Sequence, residues 1–293
     1  MLGLLNINKP SGITSHDVVN VVRRITGVRQ VGHTGTLDPL ATGVLIVLIG
    51  PATRLARYLS GVDKTYSAVV RLGETTSTYD AEGEVLLRRP VTVGRAEIEV
   101  ALEAYRGPLL QTPPMVSALK VGGKPLYKLA RKGQEVERQP RQVTIHALTL
   151  EAWMPPELTL TVTCSAGTYI RSLAHDLGEQ LGCGAHLVAL TRTATGRFDL
   201  AESVTLEQLR ALAEVDRLTE VLLPPDVAVV TLPGVTLTPE MERAVRYGQS
   251  IELPDAPIAA EVRAHDADGS LVALLIPAED GRWRPTLVLP APS

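Results

Sequence analysis

The strongest restriction on the fold of this chain is a continuous apolar run, VLIVLIG at residues 44–50. The run is far shorter than a membrane span, and its β-branched residues favour a buried strand. A second segment, KTYSAVVRLG at 64–73, alternates between apolar and polar residues, with Tyr66, Ala68 and Val70 on one face. Alternation of period two is typical of a strand with one buried face. The chain is therefore expected to build a sheet.

Helical patterns are interspersed with these strands. In TSHDVVNVVRRITG at 14–27, Thr14 and Asp17 match a capping box, four apolar residues form one stripe, and Gly27 is placed to end the helix. Comparable patterns predict further elements: helices at 53–59, 94–105 and 168–181, and strands at 141–152 and 158–164. Mixed helices and strands of this kind predict an α+β fold.

A change of pattern follows Pro224-Pro225. Beyond it, short alternating strands include a hairpin, 258–265 to 270–276, that turns near Asp268-Gly269. We therefore expect two domains: a mixed α+β domain at 1–225 and a small β domain at 226–293. Within the first domain, residues 111–140 are rich in turn formers and lysine, which predicts an exposed excursion.

Composition excludes several classes of protein. No apolar run approaches the roughly 20 residues that span a bilayer, and the N-terminus lacks the basic region of a signal peptide. We therefore expect a cytoplasmic protein. Only two cysteines, Cys164 and Cys183, occur in 293 residues, which argues against both a disulfide scaffold and a structural zinc site. Aromatic residues make up 3% of the chain, too few for an RNA-binding platform of stacked aromatics.

The net charge of −3 is unevenly distributed. Residues 1–200 hold 22 Lys and Arg against 17 Asp and Glu, a net charge of +5, whereas residues 201–293 hold 7 against 15, a net charge of −8. Basic residues are concentrated between positions 117 and 145: Lys120, Lys124, Lys128, Arg131, Lys132, Arg138 and Arg141. A local basic patch fits a polyanion bound at one face, although an ordinary solvated surface explains the charge alone equally well.

The segment GHTGTLDPLATGVL at 32–45 surrounds a single carboxylate, Asp38, with three glycines and three threonines. Because Pro39 keeps the residue before it extended, Asp38 is expected to cap a helix that begins at Pro39. A cap does not explain so many small residues, which permit close approach of a ligand or another backbone. The segment is neither a Walker A loop nor a dinucleotide-binding loop, and no esterase or zinc-enzyme motif occurs in the chain.

These residues resemble the catalytic motif of the TruB family of tRNA pseudouridine synthases. Other elements of that family occur in the same order: NINKPSGITSHDVV at 6–19, KTYSA at 64–68, LGETTSTYDAEGE at 72–84, QTPPMVSALKVGGKPLYKLARKG at 111–133, GTYIRSLAHDLG at 167–178 and AHLVALTRTATGRF at 185–198. The tail, with VRAHDADGSLVAL and WRP, is similar to the PUA-like RNA-binding domain of bacterial members. The chain lacks the long extensions of guide-dependent relatives.

The resemblance implies a pseudouridine-synthase-type mixed β-sheet flanked by helices, with a small C-terminal PUA-like domain. It also implies the isomerisation of uridine-55 in the T loop of tRNA to pseudouridine, by base flipping and a catalytic aspartate, without cofactor, metal or ATP. The expected partner is the T stem-loop of tRNA. We expect a monomer that needs no protein partner and no membrane.

Three residues match the family's catalytic positions. Asp38 matches the aspartate, and Arg171 matches the arginine that pairs with it and that lowers the pKa of such a carboxylate. Tyr66 matches the tyrosine that stacks on the uracil. Arg171 also falls in the first turn of its predicted helix, where the macrodipole disfavours a cation, and this violation of a local rule is a functional hint. The alternative interpretations are that Asp38 is only a helix cap, that Arg171 is an exposed surface arginine and that Tyr66 is a core aromatic.

Further positions match substrate-binding residues. Tyr169 and Leu190 match the walls of the uridine pocket, His33 matches the histidine that fills the space left by the flipped base, and Asp80 matches a contact to a neighbouring nucleotide. Lys9, with Pro10, matches the N-terminal motif that supports the site. The candidate phosphate contacts are Lys64, Lys120, Lys124, Lys128, Arg131, Lys132 and Arg141. No metal ligand is expected.

One position departs from the family pattern. Val116 stands where the family usually has tyrosine, so any stacking or hydroxyl role is absent there. Two other functions remain open from the residues alone. A non-catalytic RNA-binding or RNA-folding protein would share the scaffold, and a nucleotidyl- or phosphoryl-transferase would use the Gly- and Thr-rich segment for phosphates. The latter lacks a P-loop lysine and a carboxylate pair for Mg²⁺.

Overall fold

The structure, a computed structural model, describes residues 1–117, 119–121, 124–126 and 136–291. Most of the chain up to residue 199 forms one mixed sheet with helices packed against it, and the last part of the chain forms a second, four-stranded sheet. The α+β class predicted from the sequence is confirmed. The division at 225/226 stays a prediction.

Strands supply the frame of the molecule. They are β1 Gly3–Lys9, β2 Val31–Thr34, β3 Thr42–Ile49, β4 Lys64–Leu72, β5 Glu74–Thr76, β6 Val85–Arg88, β7 Gly107–Gln111, β8 Lys120–Val121, β9 Lys124–Pro125, β10 Arg141–Met154, β11 Glu157–Cys164, β12 Ala185–Thr195, β13 Phe198–Asp199, β14 Gly234–Thr236, β15 Val262–His265, β16 Leu271–Pro277 and β17 Trp283–Val288.

Helices connect these strands. They are α1 Ser15–Thr26, α2 Ala56–Ser60, α3 Arg95–Glu103, α4 Ile170–Gln180, α5 Leu206–Glu214 and α6 Pro239–Arg246, with 3-10 turns at Gly50–Leu55, Leu218–Glu220 and Pro225–Ala228. The capping box predicted for α1 is confirmed: Thr14 Oγ1 accepts from Asp17 N, and the Asp17 carboxylate accepts from Thr14 N. Gly27 ends that helix with φ +70°. Within the described ranges, no helix is long and apolar enough to cross a bilayer.

The large sheet has the strand order β1-β3-β12-β4-β11-β10-β7, with β2 paired to β3 and β13 to β12. All its pairs are antiparallel except β12 with β3, which run parallel. At that junction Gly43 lies opposite Arg192, and a Cβ atom on Gly43 would come within 2.2 Å of the Arg192 carbonyl oxygen. Glycine is therefore required where these two strands meet.

Strand β3 is buried on both faces, which explains its unbroken apolar sequence. Leu45, Val47 and Ile49 belong to the main core beneath α1 and α4. Val44 and Ile46 belong to a second core on the opposite face, which also contains Phe198 and, from the C-terminal part, Leu271, Leu274, Leu287 and Leu289. A strand covered on both faces has no solvent-exposed side, so polar residues do not alternate with apolar ones along it.

Strand β4 shows the other pattern. Every second residue from Lys64 to Leu72 is buried, as the alternation predicts. Tyr66 is therefore directed to the same side as Ala68 and Val70. The sequence reading of 64–73 as a half-buried strand is confirmed.

The four-stranded sheet has the order β14-β15-β16-β17, and the predicted hairpin at Asp268-Gly269 joins β15 to β16. It is held against the 3-10 turn Gly50–Leu55 and α2 by polar contacts as well as by the second core. Arg54 Nη1 donates to Val288 O at 2.8 Å, and Tyr58 Oη donates to Glu261 Oε1 at 2.8 Å. These contacts set the orientation of the C-terminal sheet relative to β3.

The helix predicted to begin at Pro39 is wrong. Residues 39–40 form a turn, closed by Ala41 N donating to Asp38 O at 3.1 Å, and β3 begins at Thr42. A helix would have had only three residues before the β-branched run that pairs with β1 and β12. Because the apolar run forms strand β3 of the sheet, Asp38 lies on a loop and caps no helix.

Candidate active site

A cavity of about 320 Å³ opens between the loop 35–38 that precedes β3, strands β4 and β12, and the start of α4. Side chains predicted from the sequence line it from several elements: Asp38, Lys64, Tyr66, Tyr169, Arg171 and Leu190. Ser117 and Arg192 also line it. The fold thus brings together six residues that are up to 152 positions apart in the sequence.

The centre of the cavity is an ion pair between Asp38 and Arg171. Arg171 Nε donates to Asp38 Oδ2 at 2.9 Å, and Arg171 Nη2 donates to Asp38 Oδ1 at 3.1 Å. Such a two-bond arrangement fixes the orientation of a carboxylate as well as its charge. The Arg171 side chain is 3% exposed and the Asp38 side chain 34%, so the carboxylate faces the cavity while its partner is enclosed.

Arg171 is held on its remaining sides by backbone carbonyls. Nη1 donates to Thr78 O at 3.0 Å, and Nη2 donates to Val116 O at 2.8 Å. A second carboxylate, Asp80, lies 3.5 Å from Nη1. The prediction that Arg171 occupies the first turn of its helix is confirmed, and the alternative of an exposed surface arginine is wrong.

The contact at Val116 bears on the departure from the family pattern. Val116 meets Arg171 through its carbonyl oxygen, and its side chain takes no part in that bond. The replacement of tyrosine by valine therefore leaves intact the link between the start of the excursion and the ion pair.

The loop that carries Asp38 is fastened by the N-terminal segment. Lys9 is fully buried, and its ammonium donates to Pro10 O, Ile13 O and Pro39 O at 2.9, 2.7 and 3.2 Å. Ser15, which lies in the N-terminal motif at 6–19, donates its hydroxyl to Leu37 O at 3.1 Å and accepts from Leu37 N at 2.9 Å. The backbone on both sides of Asp38 is thereby fixed.

The electrostatics of Asp38 differ from the sequence argument in one respect. Arg171 does lower the pKa of the carboxyl, as expected, but burial raises it by more, and the negative charge of Asp80 adds to the rise. The net pKa of Asp38 is therefore above that of an ordinary aspartate. The Asp38 carboxylate is therefore more basic than an aspartate carboxylate in water, and the positive charge of Arg171 limits the rise of its pKa.

Tyr66 and Leu190 form one wall of the cavity. They are 8% and 7% exposed, and they lie on neighbouring strands, β4 and β12. Burial raises the pKa of the Tyr66 phenol, and the positive charge of Arg192, its cross-strand neighbour, opposes that rise. An aromatic face and an aliphatic side chain on one wall suit a flat apolar ring.

Tyr169 is fixed by an amide that the sequence reasoning missed. Tyr169 N donates to Gln111 Oε1 at 2.7 Å, and Gln111 Nε2 donates to Tyr169 O at 3.0 Å. Gln111 is 2% exposed and ends β7, where the excursion begins. The only sequence signal for Gln111 was its position as the first residue of the predicted excursion.

Tyr79 is a second residue that sequence reasoning missed. Its φ of +64° is unusual for a bulky side chain, and its ring stacks on His175 with centroids 3.9 Å apart. The flanking residues Thr78 and Asp80 are the ones that contact Arg171. The strained backbone and the stack thus hold both contacts in place.

Asp80 and His33 are placed differently from the cavity walls. Asp80 is 3% exposed, and besides the contact with Arg171 its carboxylate accepts from Thr78 Oγ1 and from Glu82 N. His33 lies on β2, half-buried, outside the cavity, and burial lowers its pKa, with Arg192 contributing. The predicted nucleotide contacts of both residues remain predictions.

The predicted phosphate contacts divide into three groups: Lys64 is buried, Arg141 is exposed at the start of β10, and the side chains of the other five lie outside the described residues. Lys64 is 6% exposed, its ammonium donates to Ser60 O and Val62 O at 2.9 and 2.6 Å, and burial lowers its pKa to about 8. Burial likewise lowers the pKa of Lys9 to about 8. The ammonium groups of Lys64 and Lys9 both donate their hydrogen bonds to backbone carbonyls. Lys128, Arg131 and Lys132 lie outside the described residues, as do the side chains of Lys120 and Lys124.

Two further cavity residues were not singled out from the sequence. Ser117 Oγ is buried and has no hydrogen-bond partner in the described parts of the chain. Arg192 is 1% exposed, although arginine at the end of a strand usually indicates a solvated edge. Ser117 lies in the segment 111–133 and Arg192 in 185–198, but neither sequence pattern distinguishes these residues from their neighbours.

In the described ranges no three His, Cys, Asp or Glu side chains come together in a way that could hold a metal ion. Cys164 and Cys183 are both buried and unpaired with each other.

Three family models match consecutive parts of the chain. The model for the TruB family pseudouridylate synthase N-terminal domain matches residues 23–170. That for the tRNA pseudouridylate synthase B C-terminal domain matches residues 171–230, and that for the tRNA pseudouridine synthase II C-terminus matches residues 232–290. Together they account for nearly the whole chain.

Curated relatives match over almost their full length. A tRNA pseudouridine synthase B from Pseudomonas syringae pv. syringae is 47% identical over 289 residues, which cover 97% of this chain and 94% of the relative. Another protein of that name, from Pseudomonas aeruginosa, is 46% identical over 286 residues with the same coverage.

Solved structures share the fold. A chain in the structure of an H/ACA RNP bound to a substrate RNA containing 2′-deoxyuridine superimposes with a TM-score of 0.75 at 25% identity, covering 98% of this chain and 85% of that one. A chain in a Cbf5-Nop10-Gar1 complex superimposes with a TM-score of 0.72 at 26% identity, covering 98% and 84%.

Proposed function

The chain belongs to the TruB family of pseudouridylate synthases, and we propose that it isomerises uridine-55 in the T loop of tRNA to pseudouridine, with Asp38 as the catalytic group. The enzyme is an isomerase. The C1′–N1 bond of the target nucleotide breaks, the uracil rotates, and a C1′–C5 bond forms. Since substrate and product are isomers, the reaction needs no net oxidant, reductant or co-substrate, and we propose that it uses no cofactor.

The observation that carries this proposal is the Asp38–Arg171 pair at the cavity. A carboxylate that is about one-third exposed and held by two bonds at 2.9 and 3.1 Å is rigid, charged and open to a ligand on one side. Three routes use such a carboxylate: attack at C1′, addition at C6, or removal of the 2′-proton to give a glycal. Each route requires the ionised form, and each requires a site that excludes water from the intermediate.

The walls of the cavity support base flipping. A uridine stacked in the T loop cannot reach a carboxylate inside a cavity, so the nucleotide must leave its stack. Tyr66 and Leu190 offer an aromatic and an aliphatic surface to the flipped uracil, and Tyr169 closes the side next to Arg171. We propose that His33, outside the cavity on β2, enters the T loop, and that Asp80 contacts a neighbouring nucleotide.

The remaining parts of the chain fit a large RNA ligand. We propose that the basic excursion at 111–140, including Lys124 and Lys128, contacts phosphates, and that residues 226–293 form a second RNA-binding domain. Phosphate contacts position an RNA without choosing the base. We further propose that the protein acts on tRNA as a single chain.

The direct test uses a T-stem-loop RNA tritiated at uracil C5 of position 55. Formation of the C1′–C5 bond expels the C5 hydrogen, so the proposed reaction releases tritium to water without any added cofactor. The matched control is the same RNA with the label on a uridine outside the T loop.

The proposal predicts release from the first RNA and none from the second. Tight binding of the T-stem-loop without release would instead identify a non-catalytic RNA-binding protein. Release that depends on an added divalent ion and stops with a chelator would favour a transferase and contradict the proposal.

A further inference from the structure

Arg192 is a buried cation with an unusual set of partners. Its Nε donates to Val44 O at 2.7 Å and its Nη2 donates to Gly35 O at 2.9 Å, and the residue is 1% exposed. Arg171 pairs with Asp38 and Asp80, whereas in the described part of the chain Arg192 pairs with no carboxylate. Burying a charge without a counterion is costly, and two carbonyl bonds require only a neutral donor.

The position of Arg192 indicates where its charge acts. It lies directly across the β4–β12 pair from Tyr66 and lines the same cavity. Burial is the main cause of the lowered pKa of Lys64 and of the raised pKa of Tyr66, and the positive charge of Arg192 adds to the first shift and opposes the second, so its field reaches this end of the cavity.

The cavity is therefore polarised. Asp38 lines the cavity at the Arg171 end, where the buried Asp80 also contacts Arg171, whereas Arg192 and Lys64 line the end that holds Tyr66. In the proposed reaction the ribose must approach Asp38, and the uracil must lie against Tyr66. The base is then at the cationic end.

We propose that Arg192 stabilises the negative charge that develops on the uracil as it separates from the ribose. This inference rests on the proposed function. When Asp38 acts on the sugar, the electron pair of the C1′–N1 bond passes to N1 and spreads over O2 and O4 of the base. After rotation, C5 forms the bond to C1′, the C5 hydrogen leaves as a proton, and N1 takes up a proton. A fixed cation in an enclosed site stabilises such transient charge without reorganising.

The test compares substrates whose bases differ in acidity. T-stem-loop RNAs carry either uridine or 5-fluorouridine at the target position, and rapid-quench nucleoside analysis follows the loss of the N-linked nucleoside in a single turnover. Fluorine makes the uracil more acidic, so 5-fluorouracil leaves more readily and needs less stabilisation. Arg192→Gln keeps a donor for the carbonyls and removes the charge, whereas Arg192→Lys keeps the charge. Arg106→Gln is the control, because Arg106 also donates to a backbone carbonyl, Leu148 O, but lies outside the cavity.

We expect Arg192→Gln to lower the uridine rate by about 10²–10³-fold, the effect typical of one lost electrostatic stabiliser. The loss on 5-fluorouridine should be several-fold smaller. Arg192→Lys should retain more of the uridine rate and change the ratio of the two rates in the same direction by a smaller factor, which keeps the test valid if Arg192→Gln does not fold. Arg106→Gln should change neither rate.

Equal losses on both substrates would overturn the inference and identify Arg192 as a support for the loop at Gly35. A loss confined to RNA affinity, equal for both bases, would overturn it in favour of a phosphate contact. If the wild-type enzyme converts neither RNA, the proposed function itself fails, and this inference fails with it.

Discussion

Replacing Asp80 by asparagine should shift the acidic limb of the pH–rate profile to lower pH. Asp80 and Asp38 lie on opposite sides of the Arg171 guanidinium, and the negative charge of Asp80 helps to raise the pKa of Asp38. Asparagine keeps an oxygen for Thr78 Oγ1 and Glu82 N while removing that charge. In the proposed mechanism catalysis requires the ionised carboxylate, so activity should be lost as the pH falls through the Asp38 pKa. A lower pKa moves this loss to lower pH.

The size of the shift follows from Coulomb's law. A bridging guanidinium separates two carboxylates by roughly 7 Å. At an effective dielectric constant of about 20, two unit charges at that distance repel by about 2 kcal/mol, equivalent to less than about two pKa units. The Asp38 side chain is 34% exposed, so solvent weakens the repulsion, and we expect a shift of about one pH unit.

The assay is tritium release from the C5-labelled T-stem-loop between about pH 4.5 and 8, scored as kcat/KM so that the limb reports the free enzyme. The control is Glu84→Gln, an exposed carboxylate in the same β5–β6 hairpin. An unchanged limb, or one at higher pH, in a folded Asp80→Asn variant would refute the electrostatic reasoning.

Three further predictions concern the loop, the cavity and the excursion. Ser15→Ala should lower the free energy of unfolding by about 1–3 kcal/mol, because it leaves both polar groups of Leu37 unpaired, and denaturant titration with an unchanged midpoint would contradict this. Ser117→Ala should leave the free energy of unfolding unchanged or raise it, since the buried hydroxyl has no hydrogen-bond partner in the described residues. If the substrate supplies that partner, the substitution should also raise KM. An unchanged KM would exclude Ser117 from the binding site. Affinity for tRNA should fall with salt, and Lys124→Ala and Lys128→Ala should weaken binding while single-turnover chemistry at saturating RNA persists, whereas salt-independent binding would exclude a phosphate role.

Patterns that depend on one element were read correctly from the sequence. The unbroken run at 44–50 is a strand buried on both faces, and the alternation at 64–73 is a strand with one buried face. The capping box and glycine of α1 lie within one helix and its flanks. Such signals are local, so the sequence contains all of the information needed.

Features that depend on two distant segments were missed or misread. Asp38-Pro39 has the local chemistry of a helix start, but the strand that follows pairs with β1 and β12, and this long-range pairing overrides the local preference. Likewise, Arg192 is buried because Gly43 allows β3 and β12 to approach closely. The pKa of Asp38 was misjudged because burial, together with the charge of Asp80, outweighs the effect of the pairing with Arg171.

The central claim is that the Asp38 carboxylate performs the chemistry, and Asp38→Asn tests it most directly. Because Asp38 caps no helix and asparagine has the same shape, the variant should fold and bind the T-stem-loop. Tritium release in a single turnover should fall to background, since an amide is neither a nucleophile nor a base, while Asp266→Asn, a turn aspartate in the C-terminal sheet, should release tritium at the wild-type rate. Release by Asp38→Asn near the wild-type rate would contradict the account.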